Sequence, residues 1–128
     1  MGAELYQIAA HEDAELDMSR LIVLRQSLGD ERCREVVEEV VFHLTDRLSQ
    51  LQSALAEADH AAAQVLASRL ASLSEQVGLA DFARVARDLA ACIEAEDGPA
   101  TGAVGARLLR LGEDSLFSVM VYADQSAL

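Results

Sequence analysis

DHAAAQVLASRLASLSEQVGLADFARVARDLAACIEAE, residues 59–96, decides the fold. Two helical periods meet inside it at a single glycine. In the first, Ala62, Leu66, Leu70, Leu73 and Val77 recur in steps of three and four, which places apolar side chains on one helix face. Asp59 starts this helix, which ends at Val77 before Gly78. In the second period Phe82, Ala86, Leu89 and Ile93 point one way. The stretch predicts a helix over 59–77, a tight turn, and a helix over 79–96.

The same punctuation extends to both sides. Residues 17–28 read as a helix with Asp17 as cap, Gly29 beyond its end, and Leu21, Leu24 and Leu28 as its buried stripe. Asp30 reads as the cap of a long helix reaching position 57. Along it Val37, Val41, Leu44, Leu48, Leu51, Leu55 and Ala58 alternate by four and three, a seam suited to shallow helix crossings. Its length at the standard rise is roughly 40 Å. Toward the C-terminus, Asp97-Gly98-Pro99 reads as a turn and Thr101 as the cap of a last helix. Val104, Leu108, Leu111 and Val119 form that helix's inner face. Gly112 within it costs about 1 kcal/mol relative to alanine and marks a bend or a close helix contact.

These elements predict an all-α fold: an up-down four-helix bundle with an additional N-terminal helix, over residues 17–124. Residues 1–16 form an acidic arm, in which Leu5 and Ile8 make a small stripe that is ordered only when docked. Residues 125–128 read as a frayed tail.

Composition narrows the function classes. A length of 128 residues suits one domain. No apolar run reaches the length of a membrane span, and the N-terminus lacks the basic start and apolar core of a signal peptide. The net charge is −12, and all ten cations are arginine. Such acidity argues against nucleic acid and against an anionic membrane surface, and favours solubility. Cys33 and Cys92 lie in apolar helical contexts and read as buried thiols of a cytoplasmic protein, without a disulfide.

Chemistry is sparse. Glu39 and His43 lie four apart but flank the seam, and neither cysteine has a CxxC companion, so no metal or cofactor is expected. There is no glycine-rich phosphate loop, and no histidine stands near Ser68 to act as its base; no enzyme active site is expected. Ser68 lies two residues from Leu66 and from Leu70, about 200° around the helix, and so faces solvent. Its surface neighbours on that reading are Gln64, Ala71 and Ser72, then Ala61 and Glu75, with Arg69 and Arg84 flanking. His60 lies eight residues away, roughly 12 Å along the helix. His43 and His11 have no lysine or glycine at helical spacing.

Several short motifs add up in order. They are Leu28-Gly29-Asp30, the run LQSALAEAD at 51–59, ASRLAS at 67–72, Gly78 ten residues after Ser68, and LADFARVARDL at 79–89. From 17 to about 123 the chain resembles the histidine-containing phosphotransfer (HPt) domain family. In that resemblance Ser68 stands where the family has its phospho-accepting histidine, Ala71 where it has a lysine, and Ser72 where it has a glycine. A serine hydroxyl forms no phosphoramidate. The resemblance therefore implies a degenerate HPt-like signalling protein of a bacterial two-component phosphorelay, inactive in phosphotransfer. Its partner would be a response-regulator receiver domain or a histidine kinase, docked on Gln64, Ser68, Arg69, Ala71, Ser72, Glu75 and Arg84. Arg69 or Arg84 would pair with the acidic cluster of a receiver. The protein would be a monomer or weak dimer. A structural or oligomerising helix bundle sharing only the fold is the alternative, and a phosphotransferase with an unconventional acceptor a third.

Overall fold

Five helices and no strand make up residues 18–126, the part that the computed structural model describes, with side chains over 19–121. They are α1 (Met18–Leu28), α2 (Asp30–Ala56), α3 (His60–Gln76), α4 (Ala80–Glu94) and α5 (Gly98–Ser126). The predicted arm over 1–16, with Leu5, Ile8 and His11, lies outside the described residues, as do Asp17 and positions 127–128. The helix through Ser126 reaches into the span read as a frayed tail.

The three turns that follow α2, α3 and α4 share one hydrogen-bond pattern. After α2, Asp59 N–H donates to Ala54 C=O at 2.8 Å and Ala58 N–H to Leu55 C=O at 3.2 Å. After α3, Leu79 donates to Ser74 and Gly78 to Glu75; after α4, Asp97 donates to Cys92 and Glu96 to Ile93. This is the Schellman closure, which satisfies the last carbonyls of a helix and needs one left-handed residue. Gly78 supplies it at φ 81° at no steric cost, whereas Ala58 and Glu96 adopt φ 56° with a side chain present. Asp59 and Asp97 then cap the following helices, accepting from Ala62 N–H at 3.2 Å and Ala100 N–H at 3.1 Å. Asp97 therefore caps α5, and Thr101, predicted to do so, lies buried inside the helix. Pro99 is tolerated because a first-turn residue needs no N–H.

Helices α2, α3, α4 and α5 pack in a closed ring, with α5 returning to α2, and α1 packs on α2. The core between them includes Leu21, Val37, Leu44, Leu51, Leu70, Phe82, Leu89, Leu108 and Val119. No helix among the described residues is long and apolar enough to cross a membrane.

Helix faces differ from the sequence expectation in phase. In α1, Leu21 is buried but Leu28, the last residue before the turn at Gly29, is 42% exposed. In α2 the buried row is Cys33, Val37, Val40, Leu44, Leu51 and Ala54; Val41, Leu48 and Leu55 are half-buried, and Ala58 belongs to the turn. Leu48 and Leu55 reach sideways to α5. A Cβ at Gly112 would lie 2.8 Å from Leu48 Cδ2 and 3.1 Å from Phe82 Cε2, and one at Gly105 would lie 3.0 Å from Leu55 Cδ1. Gly112 thus marks a close helix contact. Leu48 to Leu55 advances seven residues while Gly112 to Gly105 steps back seven, so α2 and α5 run antiparallel.

In α3 the buried row is Ala63, Ala67, Leu70, Ala71 and Ser74, continued by Val77. Ala62, Leu66 and Leu73 are only half-buried, contrary to the predicted inner face. The reason is steric. Small residues let α3 approach α4, its most extensive contact, and the leucines are displaced to the flank beside α2. Ser74 Oγ donates to Ala71 C=O at 2.9 Å, so this buried hydroxyl is satisfied.

Cys33 is buried and Cys92 only half-buried, a correction to the expected pair of buried thiols; both are free. Burial pushes the Cys33 thiol up, with nearby Arg25 pulling the other way.

Candidate functional site

The Ser68 face follows from the phase of α3. One residue turns the helix by 100°, so burying Ala67 and Leu70 leaves Ser68 and Arg69 exposed between them. Ser68 Oγ makes no hydrogen bond among the described residues. Ser72 Oγ donates to Ser68 C=O at 3.3 Å, a back-bond to the preceding turn. A groove of about 320 Å³ runs here between α2 and α3, lined by Arg47, Ser68, Arg69, Ser72, Leu73 and Gln76.

Of the residues expected to form a docking face, the groove unites Ser68, Arg69 and Ser72. Ala71 does not belong to that face. It is 1% exposed and lies on the side of α3 that packs into the core, where no partner reaches it. Gln64 is half-buried and borders a different groove of about 530 Å³, with His60, Ile93, Glu94 and Thr101. Glu75 is exposed but engaged: it pairs with Arg87 of α4. That hydrogen bond holds the Glu75 carboxyl below the usual carboxylate range and raises Arg87 in turn. Arg84 pairs at 3.0 Å with Asp81 on its own helix and borders none of this groove.

Arg47 is the side chain that the sequence did not suggest. It and Arg69 both lie eleven residues from Ala58, one on each arm of the α2–α3 hairpin. Counting from the left-handed turn residue would have found it, but that turn carries alanine rather than the glycine that signals such a site.

Neither His43 nor His60 lines this groove. His60 is exposed in the first turn of α3 and lines the larger groove. His43 Nε2 lies 4.0 Å from Glu39 Oε1 and stands edge-on to Phe42, with ring centroids 5.6 Å apart. Among the described residues no three His, Cys, Asp or Glu side chains converge to hold a metal ion.

A second surface feature is aromatic. Phe42 on α2 is 68% exposed and Phe117 on α5 is 72% exposed. The antiparallel register set by Leu48 and Gly112 brings Phe42 level with the Phe117 turn. Neither residue lines the Ser68 groove.

Among known proteins, no family model, no curated sequence and no solved structure matches this chain.

Proposed function

We propose that the chain is an HPt-like signalling protein of a bacterial two-component phosphorelay, cytoplasmic and inactive in phosphotransfer. It acts by docking a response-regulator receiver or a histidine kinase on the Ser68 face of α3. One observation carries the reading. The position at which the resemblance expects a relay histidine is exposed on a regular helix, while the flanking landmarks Ala67 and Leu70 are buried and Gly78 closes the helix at φ 81°. The three-residue turns and the ring of helix contacts support an up-down four-helix bundle with α1 added. A receiver seated on Ser68 would present its aspartate to a hydroxyl instead of an imidazole. No phosphoramidate forms, and the protein occupies or sequesters its partner.

The test is a titration of the ¹⁵N-labelled protein with receiver domains of the same genome, with and without beryllofluoride. Saturable shifts centred on Ser68 and Ser72 are expected; none with any receiver or kinase overturns the reading. A variant with Ser68→His and Ser72→Gly probes the scaffold, since phosphotransfer gained there means that the docking face is intact. Lysine is left out of that variant because position 71 is buried.

The exposed Phe42 and Phe117 favour a second reading, a bundle that oligomerises. It predicts a stable dimer in sedimentation that dissociates in the Phe42→Ser, Phe117→Ser double variant.

A further inference from the structure

Arginine is scarce and mostly committed in this acidic chain. Arg25 lies 3.5 Å from Asp30, Arg32 2.9 Å from Glu35, Arg34 3.9 Å from Glu38 and Arg84 3.0 Å from Asp81. Arg87 pairs with Glu75, and Arg107 is engaged as well. Arg47 and Arg69, like Arg20 and Arg110, have no such partner among the described residues. Arg47 and Arg69 border one groove, on opposite helices, and no carboxylate lines it. The nearest acidic side chains in sequence are turned to other uses. Asp46 accepts from Gln50 at 3.0 Å, and Glu75 is held by Arg87.

Two unpaired guanidiniums on one groove, in a protein of net charge −12, make a local positive site on a repelling background. Regular helices position both, and Arg47 is half-buried, so less side-chain freedom is lost when it binds. The planar fork of arginine suits carboxylates, which it binds through paired N–H donors. Ser68 adds a hydroxyl to the same groove, Gln76 an amide, and Leu73 an apolar wall.

We propose that this groove recognises the carboxylates of an acidic protein surface, with Arg47 of α2 and Arg69 of α3 gripping it from two sides. The proposal deepens the docking reading above and rests on it for the partner, a receiver presenting its acidic patch. It replaces Arg84 with Arg47 as the second cation. The surrounding negative charge also sets orientation: an acidic partner is attracted here and repelled elsewhere.

The probe is a polyglutamate peptide titrated into the ¹⁵N-labelled full chain, with inorganic phosphate as a separate arm. The peptide should shift the Ser68, Arg69 and Ser72 amides and the Arg47 and Arg69 Nε–H signals, and added salt should reverse the shifts. Arg47→Gln and Arg69→Gln should each weaken binding by about fivefold, and the double variant should abolish the response. Shifts that persist in the double variant, or that lie elsewhere, overturn the proposal. Saturation by phosphate but not by peptide also overturns it, leaving a small-anion site. Receiver titrations separate the two levels. A receiver that binds both variants like the parent sinks the arginine clamp and keeps the docking face. A peptide response that needs both arginines, with no receiver bound, keeps the clamp and sinks the receiver reading. Silence toward peptide and receivers alike sinks both.

Discussion

The two sides of α3 are built from similar side chains and do opposite work. Ala63, Ala67, Ala71 and Ser74 are at most 1% exposed and let α4 approach closely. Ser68 and Ser72, equally small, face solvent beside two arginines. The difference is one of phase alone. A 100° step separates a residue that must be small because a helix presses on it from one whose smallness leaves the surface flat. The inner row carries stability, and the outer row is available for contact.

The sharpest way to break that distinction is to place the same charge on both rows. Ala71→Glu drives a carboxylate into the α3–α4 contact without a cationic partner and should cost about 3 kcal/mol or more in urea unfolding. Ser72→Glu, one residue on, should change stability by no more than about 0.5 kcal/mol. Equal losses would show that the two rows are not separate.

Legibility in the sequence divides along the same line. Helix ends were readable where a glycine or Asp59 marks them: α1 and α3 end before Gly29 and Gly78, both at positive φ, and α3 starts beside Asp59. The expected caps Asp30 and Thr101 lie inside their helices instead, and Gly29 precedes α2 with no side-chain cap. The inner face of α4 was readable as well, since Phe82, Ala86, Leu89 and Ile93 leave one apolar phase and all are buried. In α3, alanines and leucines occupy nearly every phase, so periodicity pointed to the leucines while packing chose the alanines. Only the neighbouring helices decide between such rows, and they are distant in sequence. Leu28 failed for a related reason, since apolar spacing does not say which residue of a stripe a neighbouring helix covers. Of the site, Ser68, Arg69 and Ser72 were readable from one helix. Arg47 was not, because it enters through the α2–α3 pairing.

Close approach makes a second, smaller test on α5, where two glycines contrast as the two rows of α3 do. Gly102→Ala meets nothing within 4 Å and should gain up to about 1 kcal/mol from helix propensity. Gly112→Ala gains the same propensity but presses on Leu48 and the Phe82 ring. Its net effect should be a loss of about 1 kcal/mol, read as a lowered melting temperature. If Gly112→Ala stabilised as much as Gly102→Ala, the α2–α5 contact would be looser than the positions of Leu48 and Phe82 require.

The smallest effect tests where the outer row ends. Glu75 is exposed, yet its pairing with Arg87 ties it to α4 and lowers its pKa. A depressed carboxylate stabilises the fold above its unfolded value, about 4.3, and that contribution disappears as pH falls through the lower folded value. Arg87 stays charged throughout and sets no pH window of its own. In Arg87→Ala the Glu75 carboxyl, followed by ¹³C shifts, should return to the ordinary range, and the acid limb of the stability curve should flatten slightly. Ordinary titration of Glu75 with Arg87 in place would mean that the carboxylate is free. It would then add a negative charge one turn from Ser72, and the preference for acidic partners proposed for the groove would have to rest on Arg47 and Arg69 overcoming it.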